Sequence, residues 1–222
     1  MNEFAALVPA TLAAGTPLLL AAIGIVVSEK SGVVNLGIEG IMLVAAVAGF
    51  GAAHATGVAE FGFIAGGAAG AALALLFAAL TLGLLTNQYA TGLALALFGA
   101  GLSAFLGQSL QGESLAARGV DGVPGLRDIP VLGPAFFAQH WLVYAALLIL
   151  AGVAWFLYRT RPGLVLRAVG ESPEAAHALG IPVRRVRTMA LVFGGACAGL
   201  AIATCLILDE SKSSKVVAVT PD

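Results

Sequence analysis

Charged residues fall at wide intervals along this chain, and the stretches between them carry little that is polar. Runs free of Asp, Glu, Lys and Arg cover residues 4–27, 40–59, 61–112, 129–158 and 188–208. Because about 20 residues of helix cross the ~30 Å hydrocarbon core of a bilayer, each run is long enough to span one. The third run is long enough for two helices. Its most polar point, Thr86-Asn87-Gln88-Tyr89, divides it into spans near 61–85 and 90–110. In the fourth run, Pro130 and Pro134 confine the helix to about residues 139–158. The pattern predicts an all-α, polytopic membrane helix bundle of about six spanning helices, with a transmembrane domain over residues 1–208 and a polar tail over 209–222.

Composition agrees. Of 222 residues, 59% are apolar and 10% charged, against roughly 45–50% and about 25% in soluble domains. The net charge of −1 gives no pull toward nucleic acid. Cys197 and Cys205 are too far apart on one helix to bridge. No Lys or Arg precedes Lys30, so the positive region of a signal peptide is missing and the first run is expected to be retained. Residues 159–187 hold six arginines against Glu171 and Glu174. The positive-inside rule places that loop in the cytoplasm. Alternation then puts the 113–128 loop and the N-terminus outside, unless a broken or re-entrant segment between Ser28 and Gly40 reverses the parity.

Gly62, Gly66 and Gly70, and likewise Gly195 and Gly199, share helical faces where backbones can approach closely, within the chain or between subunits. Sequence signatures of catalysis are missing. There is no phosphate-binding G-x-x-x-x-G-K-[ST], no H-E-x-x-H and no G-x-S-x-G. His54, His140 and His177 are scattered, as packing or interfacial residues would be. Transport or a scaffold role therefore outweighs an enzyme, and no cofactor is expected.

Two segments stand out. In the arginine-rich loop, Ser172 is a good N-cap, Pro173 suits the first helical position and Glu174 sits where the helix dipole favours an acid. Gly180 suits a left-handed C′ position and Pro182 forbids continuation. The prediction is a helix of about two turns, alone in the cytoplasm, which is either a capped connector lying on the membrane or, being too short to be stable by itself in water, a helix that needs a docking surface. The second segment, residues 33–40, sets Asn35 and Glu39 among apolar residues and glycines. One helix from Gly32 to Ala59 would exceed the hydrocarbon thickness, so a break is expected near Gly37 to Gly40. Asn35 and Glu39 then lie either in an interfacial loop or beside a watery pathway. Asn87 and Gln88 raise the same alternatives, although a turn between helices alone would explain both.

Glu174-Ala175-Ala176, followed after three residues by Gly180, resembles the EAA loop of ABC importer permeases, the short helix that seats in a groove of the cytoplasmic ATPase. The stretch from Ser28 to Met42 is similar to the segment after the first span in permeases of the branched-chain amino acid, simple sugar and nucleoside type. Its wording is nearest the nucleoside branch, as is that of residues 86–95 and 167–176. The resemblance runs from the N-terminus to about Leu200. It implies a permease subunit that forms the translocation pathway for a small polar, nucleoside-like solute in the bacterial inner membrane. It further implies that Glu171, Glu174, Ala175, Ala176 and Gly180 couple to the ATPase, and it favours Asn35, Glu39, Asn87 and Gln88 as pathway residues. The implied partners are an ABC ATPase subunit, a second permease subunit, an external solute-binding protein and membrane lipid. An ion-coupled secondary transporter is disfavoured, since only Glu39 could serve the ion. A non-transporting scaffold would leave the capped helix without a purpose. After Leu200 the sequence departs from the family pattern, and Val216 to Val219 is too short to span. The expectation is a truncated or frame-shifted permease that inserts but transports poorly.

Overall fold

The computed structural model describes residues 2–110 and 141–219. These form eight α-helices: α1 (Asn2–Lys30), α2 (Ile38–Thr56), α3 (Ala59–Ala78), α4 (Gln88–Gly107), α5 (Trp141–Arg159), α6 (Arg161–Glu171), α7 (Pro173–Ala178) and α8 (Val183–Val219). A π-helical stretch, Ala79–Gly83, prolongs α3, and a 3-10 turn, Gln108–Leu110, closes α4. No strand occurs among the described residues. Five stretches are long and apolar enough to cross a membrane: Ile38–Thr56, Glu60–Gly83, Gln88–Leu110, Leu142–Arg159 and Val183–Cys205. With α1, 29 residues long, they make the expected six. The 113–128 loop, Pro130, Pro134, residues 139–140 and His140 lie outside the described residues.

Several boundaries differ from expectation for identifiable reasons. The break after α1 occupies residues 31–37, so Gly40 is already inside α2 and Glu39 lies on its first turn. Gly37 caps α2. The cytoplasmic loop holds two helices. Before the expected α7 comes α6, whose Thr160 hydroxyl accepts a hydrogen bond from the Gly163 N–H at 3.2 Å, so α7 is not alone. α8 begins at Val183, carrying Arg184, Arg185 and Arg187 in its first turns, and runs past Leu208 to Val219. Charge does not break a helix, and residues 200–219 contain neither Gly nor Pro to stop it.

Glycines bring the backbones together. A Cβ at Gly70 would run into the Gly195 carbonyl, and one at Gly66 would meet the Gly199 oxygen at 3.2 Å. The predicted glycine faces thus pack α3 against α8 within the chain. Gly49 and Gly62 do the same for α2 and α3, and Gly24 and Gly194 for α1 and α8. Lipid tails are as apolar as leucine, so such close van der Waals contact, rather than exclusion of water, drives helix association in a membrane. A cluster including Ile41, Phe77, Leu95 and Leu191 fills the centre, with Val33 from the break inserted into it at 2% exposure. Cys197 and Cys205 are unbridged. His54 stacks on Phe50 with ring centroids 6.3 Å apart.

The ends of the helices fix the parity. The α1 terminus at Lys30 packs on Gly170 of α6, Gly83 lies beside the Arg184 guanidinium, and Gly37 lies against Gly92 near the start of α4. All these points share the end of the bundle occupied by the arginine-rich loop. The break returns the chain to the end of the bundle that it left, so it does not reverse the alternation, and by the positive-inside rule that arginine-rich end is the one expected in the cytoplasm.

Candidate functional site

At the cytoplasmic end, α7 is fixed at both termini by local chemistry. The Ser172 hydroxyl accepts a hydrogen bond from the Ala175 N–H at 3.4 Å, and Pro173 opens the helix. Gly180 adopts φ +78°. Its N–H donates to the His177 carbonyl at 2.9 Å, and the Ile181 N–H donates to the Ala176 carbonyl at 3.1 Å. This pair of bonds is the Schellman arrangement, which a residue with a side chain would enter only against strain. Glu171, Glu174, Ala175 and Gly180 are exposed, whereas Ala176 is buried at 3% and seats α7 on the chain itself. Leu179, 80% exposed, adds an apolar contact point beside Glu174 and Ala175 that the sequence reading passed over.

The four candidate pathway residues gather where the break meets the start of α4. The Asn35 side-chain oxygen accepts from the Gly37 N–H at 2.9 Å, and the Gln88 oxygen accepts from the Val34 N–H at 3.4 Å. Asn87 caps α4, accepting from the Tyr89 and Ala90 N–H groups at 2.9 and 3.3 Å. Thr86 and Thr91 share a hydrogen bond of 2.8 Å. Three of the four thus hold backbone with their oxygens. Glu39 stands exposed on the first turn of α2. Close approach of Gly37 and Gly40 to Gly92, Ala96 and Gly99 lets the break and the start of α2 lie flush on α4.

A third group, not foreseen, links the first two. The Arg187 Nε donates to the Ser31 carbonyl at 3.0 Å, across 156 residues of sequence. The Ser28 hydroxyl lies 3.0 Å from the Gly24 carbonyl and 3.5 Å from that of Ala190, and the Ser31 hydroxyl donates back to the Ser28 carbonyl at 2.6 Å. Gly32, at φ +83°, turns the chain out of α1 against Gly170, where a Cβ would come 3.1 Å from the Gly170 Cα. Gly163 packs the other end of α6 onto Phe156 and Leu157 of α5. α6 is therefore a strut wedged between the ends of α5 and α1, and α7 follows it directly. In sequence, only the lone Gly32 after Lys30-Ser31 hinted at this joint. Nothing marked Arg187 out from the other arginines. Arg167 of the strut lies over the Tyr158 ring, 5.2 Å from its centroid.

Comparison with known proteins supplies the context. The chain is 42% identical to TsgC13 of Haloferax volcanii, which bears the name of a glucose ABC transporter permease, over 90% of this chain and 62% of that protein. It is 34% identical to the guanosine ABC transporter permease NupQ of Bacillus subtilis, over 94% of this chain and 70% of that one. With the nucleoside ABC transporter permease NupC of Lactococcus lactis it shares 35% identity, over 90% and 67%. The chain thus spans about two thirds of the length of these relatives. No solved structure matches it. A family described as the permease component of branched-chain amino acid transport systems matches residues 8–217, well past the Leu200 at which the resemblance was expected to end. With that match and five apolar spanning stretches, this chain is a multi-pass membrane protein that belongs to the branched-chain amino acid transport permease family, a family of transporter components rather than enzymes.

Proposed function

We propose that the chain is the permease subunit of an ABC-type importer, pairing with a second permease subunit and receiving a small polar solute from an external binding protein. Its place is the bacterial inner membrane. A nucleoside-like solute is favoured, since two of the three relatives above carry nucleoside or guanosine in their names. The observation that carries the reading is α7: a six-residue helix capped at both ends, exposing Glu174, Ala175 and Leu179 at the cytoplasmic end of a membrane bundle. An isolated helix of this length does not persist in water. Here its caps and its seat on Ala176 hold it ready for an ATPase groove. A push on α7 passes through the α6 strut to the α1 terminus and the 31–37 break, where Asn35, Glu39, Asn87 and Gln88 would line the solute route. No chemistry is required of this subunit.

The decisive experiment is copurification with an ABC ATPase subunit. Gly180→Val strains the C′ position and Glu174→Arg opposes the helix dipole. Each should reduce ATPase recovery while leaving the permease in the membrane. Parental recovery with both variants would sink the coupling assignment. For the pathway, cysteine at Asn35 or Glu39, with Cys197 and Cys205 replaced, should react with a water-soluble thiol reagent and be protected by guanosine in the assembled transporter. Labelling that guanosine leaves unchanged removes those residues from the route.

A further inference from the structure

An apolar groove of about 520 Å³ opens between the cytoplasmic halves of α5, α6 and α8, with Val27 of α1 at its back. Val153 and Phe156 of α5, Val165 of α6, and Val186, Met189 and Phe193 of α8 form its walls. The α5 backbone lies nearer α1 and α6 than α8, and although Ala146 and Ala201, and Leu142 and Ala203, share buried clusters toward the other end, the two helices leave this groove between them. Its size falls within the range of small-molecule sites. Water inside would find almost no hydrogen-bond partner, so the fitting content is hydrocarbon.

The mouth of the groove has the opposite character. Arg159 follows Phe156 by three residues, Arg161 precedes Val165 by four, and Arg185 precedes Met189 by four. Each arginine therefore lies on the groove-lining face of its own helix. All three are exposed, and none pairs with a carboxylate among the described residues. They sit at the cytoplasmic boundary, where the leaflet surface is anionic and basic clusters between spanning helices attract lipid headgroups. We propose that this groove binds one anionic phospholipid of the cytoplasmic leaflet, an acyl chain filling the cleft and the phosphate held by Arg159, Arg161 and Arg185. The lipid would fill the gap between α5 and α8 that the described residues leave open. The site is independent of solute and of the ATPase.

The test uses the full chain extracted from vesicles of equal phosphatidylglycerol and phosphatidylcholine, with bound lipid counted by native mass spectrometry. The parental chain should retain phosphatidylglycerol over phosphatidylcholine. Each Arg→Gln substitution at 159, 161 and 185 should lower affinity for phosphatidylglycerol about fivefold. The triple glutamine variant should lose the preference and R159K/R161K/R185K should keep it. Circular dichroism confirms that both fold. Gly152→Leu, which fills the groove from α5, should displace both lipids. Equal retention of the two lipids by the parental chain overturns the proposal, as does a preference that survives in the triple glutamine variant. So does crosslinking of a cysteine at Gly152 to a second copy of the chain, which would make the groove a protein contact.

Discussion

The α3–α8 seam and the α5–α6 flank are both made of apolar helices with glycines, yet they are attached in different ways. Along the seam, Gly66 and Gly70 face Gly199 and Gly195 so closely that no side chain fits between. On the flank, Gly152 has nothing within 4 Å of where a Cβ would stand. A glycine in a membrane helix therefore reports nothing by itself; what matters is whether a second backbone lies opposite. The seam makes α3 and α8 one body. The flank has close backbone contact at Gly163 on α5 and Gly170 against α1, and elsewhere it packs through side chains such as Ala146, Leu157 and Leu166.

The largest expected effect comes from breaking the seam. Gly70→Leu forces α3 off α8 and should destabilise the chain by about 3 kcal/mol, read as loss of the monodisperse peak and a lowered melting temperature in detergent. Retention of parental stability would show that the seam is not a rigid body. Next is the joint between seam and flank. Arg187→Met leaves the Ser31 carbonyl without its charged donor, at a cost of about 2 kcal/mol. Amide exchange should accelerate at residues 28–37 while the α3–α8 amides stay protected. Smaller again is Asn87→Ala, which uncaps α4 and should cost about 1 kcal/mol in thermal unfolding. The smallest change has the opposite sign. Gly152→Ala enters open space on the flank and should stabilise α5 by about 0.5–1 kcal/mol. Destabilisation there would mean that a backbone lies opposite after all.

What could be read from the sequence was what is local. The spans follow from uninterrupted apolar runs, and α7 follows from Ser172, Pro173, Gly180 and Pro182, each acting within a few residues. The Thr86 to Tyr89 junction was equally visible, because polar residues mid-run have few other uses in a bilayer. α6 was missed despite a local signal: Thr160 as N-cap, Pro162 in the first turn, and Gly163, Leu166 and Val169 buried at a spacing of three. Arg159, Arg161 and Arg167 interrupt these positions with charge and mask the apolar period. The site's connections were not legible. Arg187 meets Ser31, and Gly32 meets Gly170, only because α1, α6 and α8 converge, and no local pattern encodes convergence. Nor could the sequence show that Asn35, Asn87 and Gln88 each commit an oxygen to backbone, since an amide suits a cap and a polar route equally.

The π-helical stretch at the end of α3 sets an angle. The Leu84 N–H reaches both the Ala79 and Leu80 carbonyls at 3.2 Å, and the Thr81 hydroxyl donates to the Phe77 carbonyl at 2.7 Å. Such a stretch holds one residue more than an α-helix would over the same rise, and each residue advances an α-helix by about 100°. Whatever follows is rotated about the helix axis by that amount relative to the face that grips α8. The azimuth at which the chain leaves α3 is thus set independently of the seam. From that exit residues 84–87 lead to Gln88, whose oxygen accepts from the Val34 N–H. Forcing residues 79–83 into ordinary α-helical hydrogen bonding with none removed would add that rotation and swing the Thr86 to Gln88 corner away from the break, although every glycine in the seam stayed in place.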